Sequence, residues 1–488
     1  MAVFSLNVTH TTAYGGDCRF APSPSQAGKA RNGRPRAPNA YGYSTRAHST
    51  LDGACAIVST VDQINTHVCE PHQLFDAMKR TLLCRPELVA PLGAILVSAC
   101  TQLAAGDWPQ WRGPNRDGKA AGFVTPQTWP QELTQKWKVP VGRSDGTPAI
   151  VGDQVYVFTR DDAGEITLCL DAATGKEIWR DKYDALPAAE PMGRHPGPRS
   201  SPAVADGKVL TYGVRGVLSC LDATTGKVLW RKEAFDGAWP RFFTASSPLV
   251  ADGLCIAQLG GENKGGIVAY DLANGNSKWE WTADGSAYSS PVLATIDGTK
   301  MVVALTANKV IGLGLADGKL LWESAFAPSG RAYNAATPIV DGDRVICAGS
   351  GRGTKALKIE KTGDGFAAQE LWSNPDNAVQ FNSPVLVGET LYGLAQNGTL
   401  FCLNAQDGKT LWTVPLGGRD FGSIVEAGPV LMALTPQQQL TVFAPSDKEF
   451  KKLATYKVAS SDTYATPVPA DAGLYIKDQD SLTRWSLK

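Results

Sequence analysis

The sequence has no excess of charge of either sign: Lys and Arg together number 47, and Asp and Glu together number 47. A net charge of zero provides no field that would attract nucleic acid or an anionic membrane surface. The chain also lacks a vicinal Cys-Cys pair, and His195 is the only histidine after residue 77. A lone histidine in a loop rich in Pro and Gly is more typical of a surface residue than of a catalytic base. Beyond residue 100, no apolar run is long enough to span a membrane.

What the chain has in abundance is a repeat. Copies begin at a proline preceded by small residues, and most end on a glycine-containing turn and a tryptophan. The spacing between successive prolines runs from 38 to 54 residues. A period of roughly 40–50 residues with short strands indicates the blades of a closed array. The copies begin at Pro148, Pro202, Pro248, Pro291, Pro338, Pro384 and Pro467, with a degenerate copy at Pro429.

The copy that begins at Ser200 predicts four antiparallel strands, which together make one blade. Alternating hydrophobicity and turn residues place these strands at 202–205, 208–213, 217–222 and 227–231. We call them A, B, C and D, from the inner strand outward. Gly226 supplies the positive φ that the C–D turn requires. Trp230 on the outer strand offers a large flat surface that can cover the next blade.

The pattern A-x-D-x-x-T-G-K-x-x-W, with Cys in the Ala slot at residues 169–179 and 220–230, resembles the repeat of PQQ-type (quinoprotein-like) β-propellers. The resemblance covers roughly residues 133–488. It implies an all-β fold, an eight-bladed β-propeller of four-stranded antiparallel blades. The family includes quinone dehydrogenases and a non-catalytic branch similar to the outer-membrane assembly factor BamB. The repeat alone does not choose between these branches.

The two ends of the repeat region predict how the ring closes. The last copy contains only three strands, at 466–469, 474–477 and 481–487. An orphan strand at 133–139 precedes the first proline, and its Trp137 stands where a D-strand tryptophan belongs. We therefore expect the N-terminal strand to complete the last blade. Such closure would pair both terminal edges, which would otherwise be templates for aggregation.

The N-terminal region is predicted to lie outside the propeller. Residues 1–77 are interpreted as an unstructured or wrongly assigned extension, because they contain no repeat and their His and Cys spacing fits no standard zinc pattern. Residues 78–106 are predicted to be a signal peptide, with a basic start at Met78 and an apolar run at 88–99. Residues 97–100 resemble a lipoprotein box in which Cys100 would carry the lipid, whereas ordinary cleavage would fall near Ala105 or Gly106. Residues 107–132 form a lead-in segment that we expect to pack on the propeller.

The cysteines of the repeat region are expected to be free thiols. Cys169, Cys220 and Cys402 occupy the small-residue slot of strand C in different blades. A small buried residue suits that slot. Equivalent slots in different blades should be too far apart for a disulfide.

The candidate binding residues fall in one set of loops. In a propeller, the D–A and B–C loops share one face, and the short A–B and C–D turns share the other. The D–A loops here are long and rich in Arg and aromatic residues, a composition typical of recognition surfaces. Alternatively, the aromatic residues plug the channel and the arginines pair with Asp145, Asp420 and Asp462. The candidate ligand- or partner-binding residues are Arg194, Arg241, Phe243, Tyr288, Arg331, Tyr333, Phe381, Arg419 and Tyr464.

Resemblance to the quinone dehydrogenases implies requirements that this chain does not meet. Those enzymes hold the quinone between a Trp and a vicinal disulfide, beside a calcium ion and an Asp base. We therefore predict no catalytic residue, no metal and no cofactor. The favoured hypothesis is an exported, monomeric scaffold in the periplasm or at the outer membrane. It would bind a protein or peptide partner on the D–A/B–C face, bind no nucleic acid, and meet the membrane only through a lipid on Cys100. The alternatives are a PQQ- and calcium-dependent oxidoreductase and a propeller that binds extracellular glycan.

Overall fold

The computed structural model describes residues 106–120, 122–330, 332–363, 365–395, 397–417, 422–470 and 473–488. The predicted extension, nearly all of the predicted signal peptide with Cys100, and the candidates Arg331 and Arg419 lie outside these described residues. Within them the fold is all-β, with a single 3-10 turn at Phe235–Gly237. In this part of the chain, no helix is long and apolar enough to cross a membrane.

The strands form eight sheets, each a blade whose four strands run in the order A to D. Two strands precede the first blade: β1 (Lys119–Ala120) and β2 (Thr134–Pro140). Blade 1 comprises β3 (Ala149–Val151), β4 (Gln154–Arg160), β5 (Gly164–Asp171) and β6 (Glu177–Asp184). Blade 2 comprises β7 (Ala203–Ala205), β8 (Lys208–Tyr212), β9 (Val217–Asp222) and β10 (Val228–Glu233). Blade 3 comprises β11 (Leu249–Ala251), β12 (Leu254–Gly260), β13 (Gly265–Asp271) and β14 (Ser277–Trp281). Blade 4 comprises β15 (Val292–Ile296), β16 (Thr299–Leu305), β17 (Lys309–Gly314) and β18 (Leu320–Ala325).

The second half of the ring repeats this plan. Blade 5 comprises β19 (Ile339–Asp341), β20 (Arg344–Gly349), β21 (Gly353–Thr362) and β22 (Gly365–Asn374). Blade 6 comprises β23 (Val385–Val387), β24 (Thr390–Leu394), β25 (Thr399–Asn404) and β26 (Thr410–Pro415). Blade 7 comprises β27 (Ser423–Ala427), β28 (Val430–Leu434), β29 (Gln439–Ala444) and β30 (Lys451–Lys457). Blade 8 comprises β31 (Val468–Ala470), β32 (Gly473–Lys477), β33 (Ser481–Ser486) and, as its D strand, β2. The prediction of an eight-bladed propeller is confirmed.

The N-terminal strand closes the ring as the sequence predicts. Strand β2 pairs antiparallel with β33, the last strand of the chain, with Thr134 opposite Ser486 and Trp137 opposite Arg484. The indole of Trp137 then donates a hydrogen bond of 3.1 Å to the carbonyl oxygen of Ala172 in blade 1. Because of this pairing, neither end of the repeat leaves an open sheet edge at the junction.

Tryptophans on the outer strands join five of the eight blades to the next by one recurring contact. Trp230 donates from Nε1 to the carbonyl oxygen of Leu272, 3.1 Å away. Its ring covers Gly275, which has φ +71°, and a Cβ there would lie 2.8 Å from the ring. The glycine of the C–D turn is thus required twice, for its backbone angle and for the close approach of the indole. The same Trp-on-Gly contact joins Trp137 to Gly175, Trp179 to Gly226, Trp279 to Gly318 and Trp372 to Gly408.

Among the described residues, three blade interfaces lack this contact. Trp412 of blade 6 donates from Nε1 to the carbonyl oxygen of Ser446 over 2.9 Å, and β30 of blade 7 contains no tryptophan. The third interface lies between blades 4 and 5. Strands β21 and β22 are ten residues long each, so their hairpin is longer than the other C–D hairpins. Gly363 at its tip has no contact that an added Cβ would disturb. Trp322 of blade 4 turns inward instead and places Nε1 3.1 Å from the sulfur of Met301. The sequence signal is the wider gap between Gly363 and Trp372.

The predicted start of the seventh copy is wrong. Pro429 does not precede strand A; it follows β27 and lies in the A–B turn with Gly428, which has φ +59°. A proline fits such a turn because its φ is fixed. Strand β27 instead pairs in parallel with β1, with Lys119 opposite Glu426. Blade 7 therefore has a fifth strand, which the lead-in segment provides.

The cysteines of the described residues are free and buried, as predicted. Burial raises the pKa of the Cys169, Cys220 and Cys402 thiols to about 12. These thiols remain protonated at neutral pH. They pack as small apolar residues rather than act as nucleophiles.

Candidate functional site: the aromatic mouth of the channel

The D–A loops surround a cavity of about 700 Å³ at the centre of the ring. This volume lies in the range of about 300–1,000 Å³ that is typical of ligand pockets. The loops of several blades contribute to its lining, because each leads into an innermost strand. The cavity has an aromatic wall, a polar side and a floor built by the lead-in segment.

The aromatic wall consists of Phe242, Tyr288, Tyr333 and Phe381, all of which line the cavity. Tyr333 is its centre, with ring centroids 5.1 Å from Phe242, 4.8 Å from Tyr288 and 5.6 Å from Phe381. Such tilted and edge-on contacts are the favourable geometries for aromatic pairs. Phe381 is 39% exposed, so the wall presents apolar surface that the ring itself does not cover.

Burial holds the phenols of this wall in the neutral form, and it outweighs the opposing effect of hydrogen bonds donated to their oxygens. The backbone N–H of Phe242 donates to Tyr288 Oη over 3.0 Å. Burial raises the pKa of Tyr288 well above its ordinary value and that of Tyr333 to about 12. At neutral pH, both residues are therefore uncharged hydrogen-bonding groups on an apolar surface.

The polar side carries a histidine, acids and two arginines. His195 Nδ1 lies 2.8 Å from Asp145 Oδ2, and its ring meets Tyr464 edge-on with centroids 4.8 Å apart. Arg199 donates to the backbone carbonyl of Phe242 and so connects the polar side to the aromatic wall. Burial lowers the pKa of Arg199, and nearby Asp145 opposes that shift. Asp145 thus pairs with His195 rather than with an arginine.

The floor is formed by residues 107–120, which we call the channel plug. The plug enters beside the A–B turn of blade 1, where Asp107 Oδ1 accepts a hydrogen bond from Gly152 N. Trp108 and Ile150 then exchange two backbone hydrogen bonds. The plug turns back at residues 111–116 and leaves along blade 7 as β1. It therefore lies inside the channel, inserted from the face opposite the mouth.

Two buried arginines fix the apex of the plug. Arg112 donates to the carbonyl oxygens of Ser383 (3.0 Å) and Pro384 (2.7 Å) in blade 6. Arg116 donates to those of Ser247 (2.9 Å) and Pro248 (2.8 Å) in blade 3. Both arginines have positive φ, near +60°, a strained backbone that these hydrogen bonds offset. The plug thus links blades on different sides of the ring.

A ring of hydroxyls surrounds the channel at the level of this apex. Each belongs to the Ser or Thr immediately before a blade proline, and five of them accept a hydrogen bond from the backbone N–H of the same slot in a neighbouring blade. Thr147 N–H donates to Ser201 Oγ over 3.1 Å, and Ser201 N–H donates to Ser247 Oγ over 2.9 Å. This pattern explains why small hydroxyl residues precede the prolines of the repeat.

The structure places five of the predicted site residues on the cavity: Arg194, Tyr288, Tyr333, Phe381 and Tyr464. Arg241 is exposed beside it, with its guanidinium 5.4 Å from the Phe242 ring centroid. Phe243 lies away from the cavity, buried and stacked on Trp239 with centroids 5.9 Å apart. The backbone of Phe243 has φ +63°, so the chain turns there and Phe242 faces the channel instead.

Sequence reasoning missed Phe242, Arg199 and the two plug residues that line the cavity, Trp111 and Arg112. The signal for Arg199 was its place directly before the Ser-Ser-Pro of blade 2. No pattern indicated that the lead-in segment enters the channel. Trp111 reaches across to blade 5, where its Nε1 donates to Thr337 Oγ1 over 2.8 Å.

The residues of the cavity do not fit a calcium-bound quinone. Asp145 and Asp462 are the acids on its lining, and Asp145 is already bonded to His195. Among the described residues, no cluster of three or more His, Cys, Asp or Glu could hold a metal ion. The sequence also has no adjacent cysteines to cover a quinone ring. The arrangement instead suits noncovalent binding of a ligand with apolar and anionic parts.

Eight blades, five of them joined to the next by a Trp-on-Gly contact, form a ring closed by an N-terminal strand and define the class of PQQ-type β-propellers. The comparison with known proteins narrows this class. The chain belongs to the family described as outer membrane protein assembly factor BamB, whose model matches residues 162–414, more than half of the sequence.

Individual relatives agree with this assignment. BamB of Yersinia pestis is 24% identical over 298 residues, which cover 54% of this chain and 72% of that protein. The crystal structure of BamB from Moraxella catarrhalis matches with a TM-score of 0.55 at 14% identity, covering 72% of this chain and 97% of that one. The quinohemoprotein alcohol dehydrogenase of Comamonas testosteroni gives a TM-score of 0.60 at 15% identity, covering 79% and 81%. At these identities, the two structural matches show the fold alone.

Proposed function

We propose that this chain is a non-catalytic scaffold of the bacterial cell envelope, which binds a protein or peptide partner at the channel mouth. The family to which it belongs is named for the assembly of outer membrane proteins, and this name supports an envelope location and a protein partner. The observation that carries the proposal is the aromatic wall beside an open cavity on the D–A face.

The composition of the mouth suits protein recognition. Aromatic and Arg side chains are enriched at the energetic centres of interfaces, where they supply desolvated area and charge-assisted hydrogen bonds. Phe381 and Arg194 are exposed at the mouth, while Tyr288 and Tyr333 form the more buried part of the wall. The opposite face is formed largely by two-residue A–B turns and short C–D turns.

Crosslinking tests the proposed binding face. A photoreactive amino acid at Phe381 should capture an envelope protein in living cells, identified by mass spectrometry. The matched control carries the same group at Lys227, which lies beside a C–D turn on the opposite face. Capture at both positions alike, or at neither, would refute the choice of face.

The proposed location depends on processing of the N-terminal region. Because the predicted signal spans residues 78–106, the mature chain should begin at Cys100, carrying a lipid, or near Asp107. Sequencing the mature N-terminus and measuring its mass in the native host distinguish these products. A secreted product that keeps residues 1–77 would contradict the predicted signal.

The oxidoreductase alternative makes a different prediction. It requires binding of PQQ with calcium and turnover of a substrate. Dye reduction by the purified protein in the presence of PQQ and calcium would replace the scaffold proposal. The absence of a vicinal Cys pair and of a three-residue acid or His cluster in the described part of the chain speaks against it.

A further inference from the structure

We propose that the mouth cavity binds the C-terminal end of a partner polypeptide. Its free carboxylate would lie between Arg194 and Arg199, and its last large apolar side chain would lie on the aromatic wall. This inference rests on the proposed scaffold function and specifies the part of the partner that is recognised. Three features of the cavity lead to it: a closed floor, an exposed arginine with no partner among the described residues, and an exposed aromatic surface.

The closed floor favours a chain end over an internal segment. Trp111 and Arg112 of the channel plug line the cavity, and their hydrogen bonds to blades 5 and 6 hold them across the channel. A polypeptide that enters from the mouth therefore meets a wall and cannot leave at the other face. A volume of about 700 Å³ accommodates a few residues, not a folded domain.

The charges of the cavity favour a carboxylate over an ammonium group. Its charged lining consists of Arg112, Arg194 and Arg199 against Asp145 and Asp462. Arg112 is saturated by backbone carbonyls, and Asp145 is bonded to His195. Arg194 has no hydrogen bond or ion pair with the described residues. Arg199 donates from its two terminal nitrogens to the carbonyl oxygens of Phe242 and His195, and its buried Nε has no hydrogen-bond partner among the described residues. An exposed guanidinium such as that of Arg194 binds carboxylates with directional, charge-assisted hydrogen bonds, and Arg199 adds positive charge to the lining of the same cavity.

The aromatic wall offers an apolar surface on which the last side chain of the partner polypeptide would pack. Arg199 donates to the carbonyl of Phe242, so the buried guanidinium lies directly against the wall. Phe381 and Tyr333 continue the wall toward the mouth, with centroids 5.6 Å apart. A carboxylate held by the arginines would place an adjacent Phe, Tyr or Leu side chain on these rings. Stacking and apolar burial would then select large side chains over small ones.

Fluorescence anisotropy with short labelled peptides tests the inference on the full-length mature protein. A peptide ending in Phe with a free carboxylate should bind at least about tenfold more tightly than the same peptide with a C-terminal amide, since one charge-assisted hydrogen bond is worth about that factor. Arg194→Gln should remove most of this difference. Arg194 is exposed, so the variant should melt at the wild-type temperature, and Lys227→Gln serves as the control on the opposite face.

These measurements distinguish failure of the carboxylate inference from failure of the scaffold proposal. Equal affinity for the acid and the amide, or an unchanged preference in Arg194→Gln, would overturn the carboxylate inference. Crosslinking from Phe381 could still succeed in that case, and the scaffold proposal would then stand without the chain-end specificity. If PQQ alone binds and no peptide does, both the inference and the scaffold proposal fail.

Discussion

The two ends of the channel use the same residue types for opposite purposes. At the floor, Trp111, Arg112 and Arg116 belong to the plug, and the guanidinium groups donate to carbonyls of the ring. At the mouth, Arg194 has no such partner in the described part of the chain, and Phe381 is 39% exposed. The comparison teaches that Arg and aromatic content does not by itself identify a binding surface. What distinguishes the two ends is whether the protein already satisfies these side chains.

The largest effect should come from removing the floor and the closing strand together. Deleting residues 107–139 removes the plug and β2, so blade 7 loses its fifth strand and blade 8 its D strand. Exposed edges of this kind pair with other chains. We expect an aggregated product on size-exclusion chromatography. A soluble deletion product with one cooperative melting transition would show that the propeller folds without the plug and without closure of the ring by β2.

Next in size is the loss of an interblade tryptophan. Trp230→Ala removes the indole that covers Gly275 and hydrogen-bonds Leu272, at an expected cost of about 3–5 kcal/mol in unfolding free energy. The neighbouring Leu229 is 43% exposed, so Leu229→Ala should change stability by about 0.5 kcal/mol or less. Chemical denaturation measures both. Equal stabilities for the two variants would mean that the indole does not join the blades.

A smaller effect is expected from a single arginine of the floor. Arg112→Met keeps much of the side-chain volume but leaves the carbonyls of Ser383 and Pro384 without their donor. Buried unsatisfied groups cost about 1–3 kcal/mol each, so a loss of about 2 kcal/mol or more should appear in denaturation. Lys119→Met is the control, because its ion pair with Glu426 is partly exposed and worth about 1 kcal/mol or less. If the two variants are equally stable, the plug apex does not brace the ring.

Much of the ring could be predicted because the residues that pack one blade against the next recur at the same positions of each repeat. The C strand predicted at 217–222 coincides with β9, and the turn glycines and outer tryptophans marked the interblade contacts. The last copy predicts only three strands, so its D strand had to come from elsewhere in the chain. This reasoning predicted the pairing of β2 with β33 correctly. These features are local and recur, so one copy corrects the interpretation of another.

The remainder could not be predicted because it occurs once. The start of blade 7 was misplaced since Gly428-Pro429 is a turn that resembles the small-residue-Pro signal. The insertion of the plug depends on hydrogen bonds between Arg112 or Arg116 and distant blades, which no local pattern records. The choice of Phe243 over Phe242 failed to anticipate one positive φ in a loop without periodicity. The features of the site that the repeat does not predict lie in loops that occur in one blade only and have unusual backbone angles.

The smallest expected change in stability is that of Phe381→Ala, which should nevertheless weaken partner binding clearly. A loss of affinity without a loss of stability would show that the mouth is a binding site. Phe381 is the exposed end of the aromatic wall, so Phe381→Ala should alter the unfolding free energy by about 0.5 kcal/mol or less. Partner or peptide affinity should fall by about 1–2 kcal/mol, because an exposed anchor contributes mainly in the complex. Tyr288 provides the comparison within the same wall. It is buried and hydrogen-bonded to Phe242, so Tyr288→Ala should lose stability as well as affinity. Denaturation and anisotropy on both variants separate the two roles. If Phe381→Ala binds the partner as tightly as the wild type does, the aromatic wall serves internal packing and not partner binding. The mouth would then have the same structural role as the plug at the floor.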